Sequence, residues 1–244
     1  MIHIQKDFDP PPEKLRSPGC KNLIERTLFS RKKQNASYNF YRNKNVVKRL
    51  KKIFHYKCAY CEVLTNGGFH VDHYRPISSV KNLSKEHHKG YYWLSCEWSN
   101  LIFSCNACNQ YKSNQFPVEN EFFRVIEPGD QKEWRADSIT FTREKALLIH
   151  PQIDKPEKHF VFLPDGNIKA ITEKGEQTNI ICQLFREDLI FRRHKAIQEI
   201  IDRINEEISL FITKEHNEME LHAGLRSVFS SLFSKIDNFD SITY

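Results

Sequence analysis

Apolar side chains recur at helical spacing between residues 44 and 55, interrupted by lysines. The apolar positions are Val46, Val47, Leu50, Ile53 and Phe54. This period places them on one side of a helix, with the lysines mostly around the other side. Asn43 directly precedes the pattern and is a suitable N-cap, because its side chain can accept from free backbone N–H groups. The pattern therefore predicts an amphipathic helix over residues 44–55.

Two short strands and a second helix follow this helix. Residues 69–74 have strand character and end before Pro76. Residues 101–104 form an apolar run that predicts a second strand. Residues 107–115 begin a helix that Pro117 ends, since proline cannot continue it. The predicted order is strand, long loop, strand, helix.

Other segments are predicted to be irregular. Residues 1–20 contain three consecutive prolines and a Pro-Gly pair at Pro18, which disfavour regular structure. Residues 78–89 are polar and read as a loop. We expect His87 and His88 in this loop to be exposed to solvent.

The C-terminal half has a different pattern. Residues 159–171 predict a β-hairpin around an Asp-Gly turn at Asp165. From residue 178 onward the apolar period is helical, and residues 221–233 predict a further helix. The fold class is thus α+β with a mostly helical C-terminal region. We divide the chain into a basic N-terminal lead (1–42), a core (43–127), and a hairpin and helical region (128–244).

Charge is distributed unevenly along the 244 residues. The first 118 residues carry 20 basic and 8 acidic side chains, and the rest carry 17 and 23. A basic half suits a polyanionic substrate such as nucleic acid, and an acidic half is free to bind a partner. No apolar run reaches membrane-spanning length and the start does not resemble a signal peptide, so we expect a cytoplasmic protein. The absence of a P-loop motif argues against ATP hydrolysis by this chain.

Four of the seven cysteines form two Cys-x-x-Cys pairs, and the odd total favours a reducing compartment over a disulfide framework. The pairs can supply four thiolates to one tetrahedral zinc ion, and a site filled by protein has no open position for catalysis. Two unrelated turns or a redox dithiol are the alternatives. We expect the remaining cysteines to be buried apolar residues. The predicted ligands are Cys58, Cys61, Cys105 and Cys108.

Between and after the cysteine pairs lie residues suited to phosphodiester cleavage. This reaction needs an activated water and a cation at the leaving oxygen. A histidine can deprotonate the water, and carboxylate and amide oxygens suit Mg²⁺. The candidate residues are Asp72, His73, Asn100, Asn109 and Lys112. Phosphate contacts are expected from Lys112, Arg75, Lys48, Lys51 and Lys52.

These residues and their spacing resemble the HNH endonuclease motif, which implies a zinc-bound ββα-metal fold. The resemblance implies that His73 is the general base, that Asp72 binds the divalent ion and that Asn100 fixes the loop between the strands. Many members have a histidine ligand at the position of Asn109. An asparagine there still offers an oxygen, and it favours Mg²⁺ or Mn²⁺ over metals that prefer imidazole.

Looser patterns around residues 4–11, 92–98, 112–117 and 147–157 are similar to PtuB, the HNH effector of Septu and of certain retron defence systems. This resemblance implies action on DNA or tRNA in phage-infected cells. It also implies an ABC-type ATPase partner, PtuA, with or without a retron reverse transcriptase, which region 128–244 would dock. Two alternatives stay open: a non-catalytic zinc-dependent nucleic-acid-binding module, and a stand-alone homing or restriction-type HNH nuclease.

Overall fold

The computed structural model describes residues 1–65, 67–81 and 88–213. The described chain separates into two compact units, one comprising residues 1–161 and 169–184 and the other residues 162–168 and 185 onward. The α-helices are α1 (Glu13–Arg16), α2 (Pro18–Ser30), α3 (Tyr38–Tyr41), α4 (Lys44–Ile53), α5 (Asn106–Lys112), α6 (Ile139–Arg143), α7 (Glu173–Cys182) and α8 (Glu187–Thr213). The strands are β1 (Phe69–His73), β2 (Leu101–Cys105), β3 (Phe160–Phe162) and β4 (Ile168–Ala170).

An antiparallel pair and a helix form the centre of the first unit. Strands β1 and β2 pair with His73 opposite Leu101 and Phe69 opposite Cys105. Helix α5 follows β2 without a break and packs against both strands. The predicted order of strand, loop, strand and helix is confirmed. The long loop between the strands contains short 3-10 helices at Tyr92–Cys96 and Trp98–Asn100.

Aromatic and aliphatic side chains bury this centre. Leu101, Ile102 and Phe103 of β2 are fully buried. The ring of Phe103 stacks on Phe69 of β1 with a centroid separation of 5.0 Å and on Phe54 after α4 at 6.4 Å. Such burial contributes about 2–3 kcal/mol for each large apolar side chain. The two strands are short, so packing against helices stabilises them more than their own pairing does.

Helix α4 has the predicted position and cap. Its apolar face is buried at Val46 and Leu50, and the Asn43 side chain accepts from the Asn45 backbone N–H at 3.1 Å. Lys48 and Lys52 are exposed on the opposite face, as the helical period predicts.

The prediction of an irregular N-terminus is wrong from residue 13 onward. Helix α2 begins at Pro18, and the Ser17 hydroxyl accepts from the Cys20 backbone N–H at 3.3 Å. Proline is well tolerated at the first helical position because its missing N–H has no partner in a helix. The first residues of the chain pack against the core, where Ile4 is buried and its backbone N–H donates to the Pro151 carbonyl at 2.8 Å.

The predicted β-hairpin is confirmed by the pairing of β3 and β4. Within the second unit, Gly166 at the turn has φ +85°, and a Cβ there would lie 2.3 Å from the Ile190 carbonyl oxygen of α8. The glycine thus permits a close approach of turn and helix. The predicted helix over residues 221–233 lies outside the described residues. In the part of the chain that is described, no helix has both the length and the apolar character to cross a membrane.

Candidate active site and metal centre

The four predicted cysteines meet at one point. Their sulfur atoms all lie within 4.8 Å of one another, and the sulfurs of Cys61 and Cys105 are 3.7 Å apart. A tetrahedral zinc with Zn–S bonds of 2.3 Å separates its sulfurs by about 3.8 Å, whereas a disulfide needs about 2.05 Å. The four cysteines therefore fit one metal ion such as zinc.

Hydrogen bonds in the backbone turns position these four sulfur atoms. In the first pair, the Glu62 backbone N–H donates to the Cys58 carbonyl at 2.9 Å, and the Ala59 N–H donates to the Phe103 carbonyl of β2 at 2.9 Å. In the second pair, the Cys105 sulfur caps α5 by accepting from the Cys108 N–H at 3.4 Å. The cluster thereby joins the segment before β1 to the junction of β2 and α5.

Hydrogen bonds within the cluster shift the pKa values of its thiols in opposite directions. The hydrogen bond with Cys108 lowers the pKa of the Cys105 thiol, and the same contact raises the pKa of Cys108. Metal ligation requires thiolates, so metal binding must release the remaining protons. Metal affinity is therefore expected to fall as the pH falls.

His73 ends β1 and is buried. Its Nε2 lies 3.0 Å from the Ser95 carbonyl oxygen, which requires the proton on Nε2 and leaves Nδ1 as an acceptor. The imidazole packs nearly perpendicular to the Tyr41 ring with a centroid separation of 4.7 Å. Burial lowers the pKa of His73 to about 3. The imidazole is consequently neutral at physiological pH, and its Nδ1 keeps a lone pair that can accept a proton.

Asp72 precedes His73 on β1 and is almost fully buried. One carboxylate oxygen accepts from the Tyr60 hydroxyl at 2.8 Å and the other from the Lys112 ammonium at 3.2 Å. Burial raises the pKa of Asp72, and Lys112 opposes that shift. A carboxylate offers about four lone-pair positions, so these two contacts and a hydrogen bond from the His73 backbone still leave acceptor capacity for a cation.

Lys112 and Arg75 are core residues, contrary to the expectation that they contact phosphate. The Lys112 side chain is fully buried and also donates to the His73 carbonyl at 2.8 Å. Arg75 is 3% exposed and forms an ion pair with Glu144 at 2.8 Å. Burial and internal partners leave neither side chain a surface for phosphate. We therefore assign both residues to the frame of the site.

Asn100 joins the two ends of the loop between the strands. Its side-chain oxygen accepts from the Arg75 backbone N–H at 2.8 Å. Its amide nitrogen donates to the carbonyls of Arg75 at 3.1 Å and Leu94 at 3.4 Å. Leu94 and Ser95 belong to the same 3-10 helix, and Ser95 holds His73. Asn100 therefore supports the histidine through the loop.

Asn109 and the α4 lysines lie around this centre. Asn109 is half-buried on α5, three residues before Lys112. The Lys51 ammonium lies 4.3 Å from the centroid of the Phe69 ring on β1, while Lys48 and Lys52 are exposed. The structure thus joins Asp72, His73 and Lys112 by short contacts. Asn100 is linked to them through the loop, and the other candidates lie on α4 and α5.

Sequence reasoning missed three groups at the site. Tyr60 hydrogen-bonds Asp72, Ser95 orients His73, and Tyr41 packs against the same imidazole. Tyr60 lies inside the first cysteine pair, so its proximity to the zinc ligands was a usable signal. Ser95 acts through its backbone carbonyl, which no side-chain pattern reveals.

The prediction that His88 is exposed to solvent is also wrong. The described part of the loop shows it buried, with Nε2 3.3 Å from the Val125 carbonyl oxygen and Nδ1 accepting from the Gly90 N–H at 3.0 Å. A polar sequence context predicted exposure, but these backbone partners satisfy the ring inside the protein. His87 lies outside the described residues.

Two curated proteins of Bacillus mycoides (strain KBAB4) are similar to this chain. The Septu protein PtuB is 33% identical over 215 residues, which cover 82% of this chain and 68% of PtuB. The Septu protein PtuA is 35% identical over 155 residues, which cover 62% of this chain and 21% of PtuA. The second match therefore spans about a fifth of the relative. No protein-family model matches the chain.

Proposed function

The chain belongs to the Septu PtuB family, and we propose that it is a metal-dependent HNH endonuclease that serves in anti-phage defence. One observation carries the assignment of nuclease activity. On a strand joined to a four-cysteine cluster, Asp72 with its buried carboxylate is followed in sequence by His73, whose neutral imidazole is held by a backbone carbonyl. This combination supports a water-activating site on a metal-held frame.

His73 acts as the general base in this proposal. Its Nδ1 accepts a proton from the attacking water, while Nε2–H stays bonded to the Ser95 carbonyl. That carbonyl stabilises the imidazolium formed by the transfer and keeps the ring in one orientation. Tyr41 restricts ring rotation from the side. The 3-10 helix that contains Ser95 is thus part of the catalytic frame.

Asp72 and Asn109 are the proposed ligands for a divalent cation. The carboxylate and amide oxygens of these residues form a hard donor set that fits Mg²⁺, or Mn²⁺, better than softer metals. A bound Mg²⁺ supplies charge stabilisation to the leaving oxygen. Burial raises the pKa of Asp72, and the Lys112 ammonium at 3.2 Å opposes that rise and so favours the ionised carboxylate that this role needs.

The cysteine cluster is assigned a structural zinc ion. It links the segment before β1, which carries Tyr60, to the start of α5, the helix that ends at Lys112. Both of these side chains contact Asp72, so the zinc positions the carboxylate from two sides. All four ligand positions come from protein, which excludes substrate from this ion.

The proposed substrate is nucleic acid, either DNA or RNA such as tRNA. The exposed Lys48 and Lys52 side chains of α4, with Lys51, supply sequence-independent phosphate attraction. We place the protein in the cytoplasm, where its seven cysteines, none of which forms a disulfide, would stay reduced.

We further propose that the protein works with a PtuA-type ABC ATPase. About a fifth of one PtuA is similar to this chain, so a region of this kind exists within a PtuA polypeptide, which supports a functional association. The acidic region 128–244 is the candidate docking surface. A retron reverse transcriptase is the additional partner if the system is of the retron type.

Nuclease activity is tested on the zinc-loaded chain, alone and co-purified with its ATPase. Labelled duplex DNA, single-stranded DNA and tRNA are incubated with added Mg²⁺ or without it. We expect Mg²⁺-dependent cleavage of at least one substrate. Cleavage by the lone chain at the full rate would favour a stand-alone nuclease. Tight binding without cleavage under every condition would establish a non-catalytic nucleic-acid-binding module instead.

A further inference from the structure

An open groove of about 510 Å³ lies where α3 ends and α4 begins. Two cationic side chains and a tyrosine line it together with three amide side chains, and its lining contains no acid. The lining residues are Tyr38, Asn39, Arg42, Asn43, Lys44 and Asn45. This composition suits a ligand that carries negative charge and a flat ring.

Arg42 connects this groove to the first strand of the candidate active site. Its guanidinium donates to the Tyr38 hydroxyl at 2.6 Å and lies 3.0 Å from Nδ1 of His70 on β1. Arginine has five N–H donors in a fixed planar arrangement. These two contacts fix the orientation of the guanidinium plane and leave its other N–H groups available to a ligand. The side chain is half-buried, so it is oriented before any ligand arrives.

Aromatic contacts join the groove to the proposed base. Tyr38 packs edge-on against Tyr41 with a centroid separation of 5.8 Å, and Tyr41 packs in the same manner against His73 at 4.7 Å. A single ring, that of Tyr41, therefore lies between the groove-lining Tyr38 and the His73 imidazole. The Tyr38 side chain is 50% exposed although Arg42 covers part of its ring, so half of its surface is available for stacking.

We infer that this groove binds an unpaired nucleotide of the substrate next to the cleavage site, with Arg42 on its phosphate and Tyr38 against its base. The inference rests on the proposed nuclease function and specifies its substrate as single-stranded. Stacking on an exposed tyrosine requires a free base face, which a duplex does not offer. Single-stranded DNA and an unpaired RNA loop share this chemistry.

The test measures binding of fluorescent RNA and DNA strands of about 12 nucleotides, a length within known single-strand site sizes. A duplex of the same sequence is measured in parallel. The full zinc-loaded chain is used without added Mg²⁺, so that binding is read independently of cleavage. Affinity is measured over a series of salt concentrations for Arg42→Gln, Arg42→Lys, Tyr38→Ala, Tyr38→Phe and the control Arg143→Gln.

Arg42→Gln should reduce the slope of log affinity against log salt by about 0.7, the value for one phosphate contact on a single strand. Arg42→Lys should keep the wild-type slope. Arg143 is exposed on α6. The control Arg143→Gln removes the same charge as Arg42→Gln and should leave the slope unchanged. A general folding defect would lower affinity without this selective change in slope, and thermal unfolding of each variant checks for one.

Tyr38→Ala should weaken single-strand binding roughly 5- to 150-fold with little change in slope, and Tyr38→Phe should retain most of the affinity. Duplex binding should be insensitive to both tyrosine variants. An unchanged salt slope in Arg42→Gln, or equal loss of duplex and single-strand binding in Tyr38→Ala, would overturn the inference. A stronger response of RNA than of DNA identifies an RNA substrate, and the converse identifies DNA.

These outcomes are separable from those of the proposed function. If the wild type cuts nucleic acid but its Arg42 and Tyr38 variants bind as it does, the groove assignment fails and the nuclease assignment stands. If the variants respond as expected but no substrate is ever cut, the groove stands and the nuclease assignment fails.

Discussion

The Lys112 ammonium offsets the free-energy cost of burying the Asp72 carboxylate. The pair is separated by 3.2 Å, with side-chain exposures of 0% for the lysine and 8% for the aspartate. Removal of one partner from such a pair leaves an uncompensated charge and costs about 3–5 kcal/mol. The same carboxylate is the proposed ligand of the catalytic cation, so the role of Lys112 can be examined through metal binding.

Lys112→Met should lower the thermal unfolding temperature markedly, and Mg²⁺ should restore more stability to this variant than to wild type. The added cation would replace the lost ammonium beside Asp72. Differential scanning fluorimetry with and without Mg²⁺ measures both effects. Lys52→Met removes the same charge from an exposed position on α4 and serves as the control. Equal Mg²⁺ shifts in the two variants would contradict the placement of the cation at Asp72.

His150 is a further buried titratable residue, remote from the cysteine cluster in sequence. Its Nε2 lies 3.3 Å from the Ser99 carbonyl oxygen, and its Nδ1 accepts from the Gln152 N–H at 3.3 Å. Burial, with smaller contributions from Arg75 and Lys6, lowers the pKa of His150 well below its usual value. The folded protein therefore holds this imidazole neutral where an unfolded chain would protonate it.

The protein should lose stability as the pH falls below about 6.5, the pKa of an unfolded histidine. In that range the unfolded state binds more protons than the folded state, so acid favours unfolding. His150→Gln should flatten the pH dependence of the unfolding free energy by about 1.4 kcal/mol per pH unit, the contribution of one proton. Urea unfolding between pH 5 and 7 measures the slopes. Parallel curves for wild type and variant would show that His150 is not the titrating group.

At the level of elements, the site consists of two strands, one helix and a cysteine cluster that fixes their ends. The first cysteine pair is tied to β2 through the Ala59 N–H, and the second pair opens α5. Short strands of five residues have little stability alone. The metal is accordingly expected to contribute to folding as well as to geometry.

Cys58→Ser should reduce zinc content and unfold the core at a lower temperature. Zinc per chain is measured by atomic emission, and unfolding by circular dichroism. Cys182→Ala is the matched control, because Cys182 is also buried near the cluster but contributes its carbonyl to the Cys108 thiol, and alanine keeps that carbonyl. We expect one zinc per chain in wild type and in Cys182→Ala. Full zinc content and unchanged stability in Cys58→Ser would exclude the four-cysteine site.

The sequence predicted the elements of the site better than their contacts. Periodicity and caps located α4, β1, β2 and the hairpin because these signals are local. Helix α2 was missed because Pro18 was taken as a breaker rather than as a first helical residue. The burial of Lys112 and Arg75 depends on Asp72 and Glu144, which lie 40 and 69 residues away. Such pairings arise from tertiary packing and leave no local pattern.

At the scale of the whole molecule, the two compact units carry different chemistry. The first contains the cysteine cluster, Asp72 and His73, and the second contains the whole of the long helix α8. Helix α8 has exposed apolar side chains, including Phe191 at 67% and Ile201 at 40%. Exposed apolar and acidic surface in region 128–244 is consistent with the proposed role in partner docking.

The nuclease assignment finally depends on His73. The most direct measurement compares cleavage by wild type, His73→Ala and His3→Ala, each purified with zinc and its ATPase and assayed with Mg²⁺ on the best substrate. Loss of a general base should slow cleavage roughly 10²- to 10⁴-fold in His73→Ala, with zinc content and nucleic-acid binding preserved. His3 is exposed, and its variant should cut at the wild-type rate. Cleavage by His73→Ala at the wild-type rate would contradict the account.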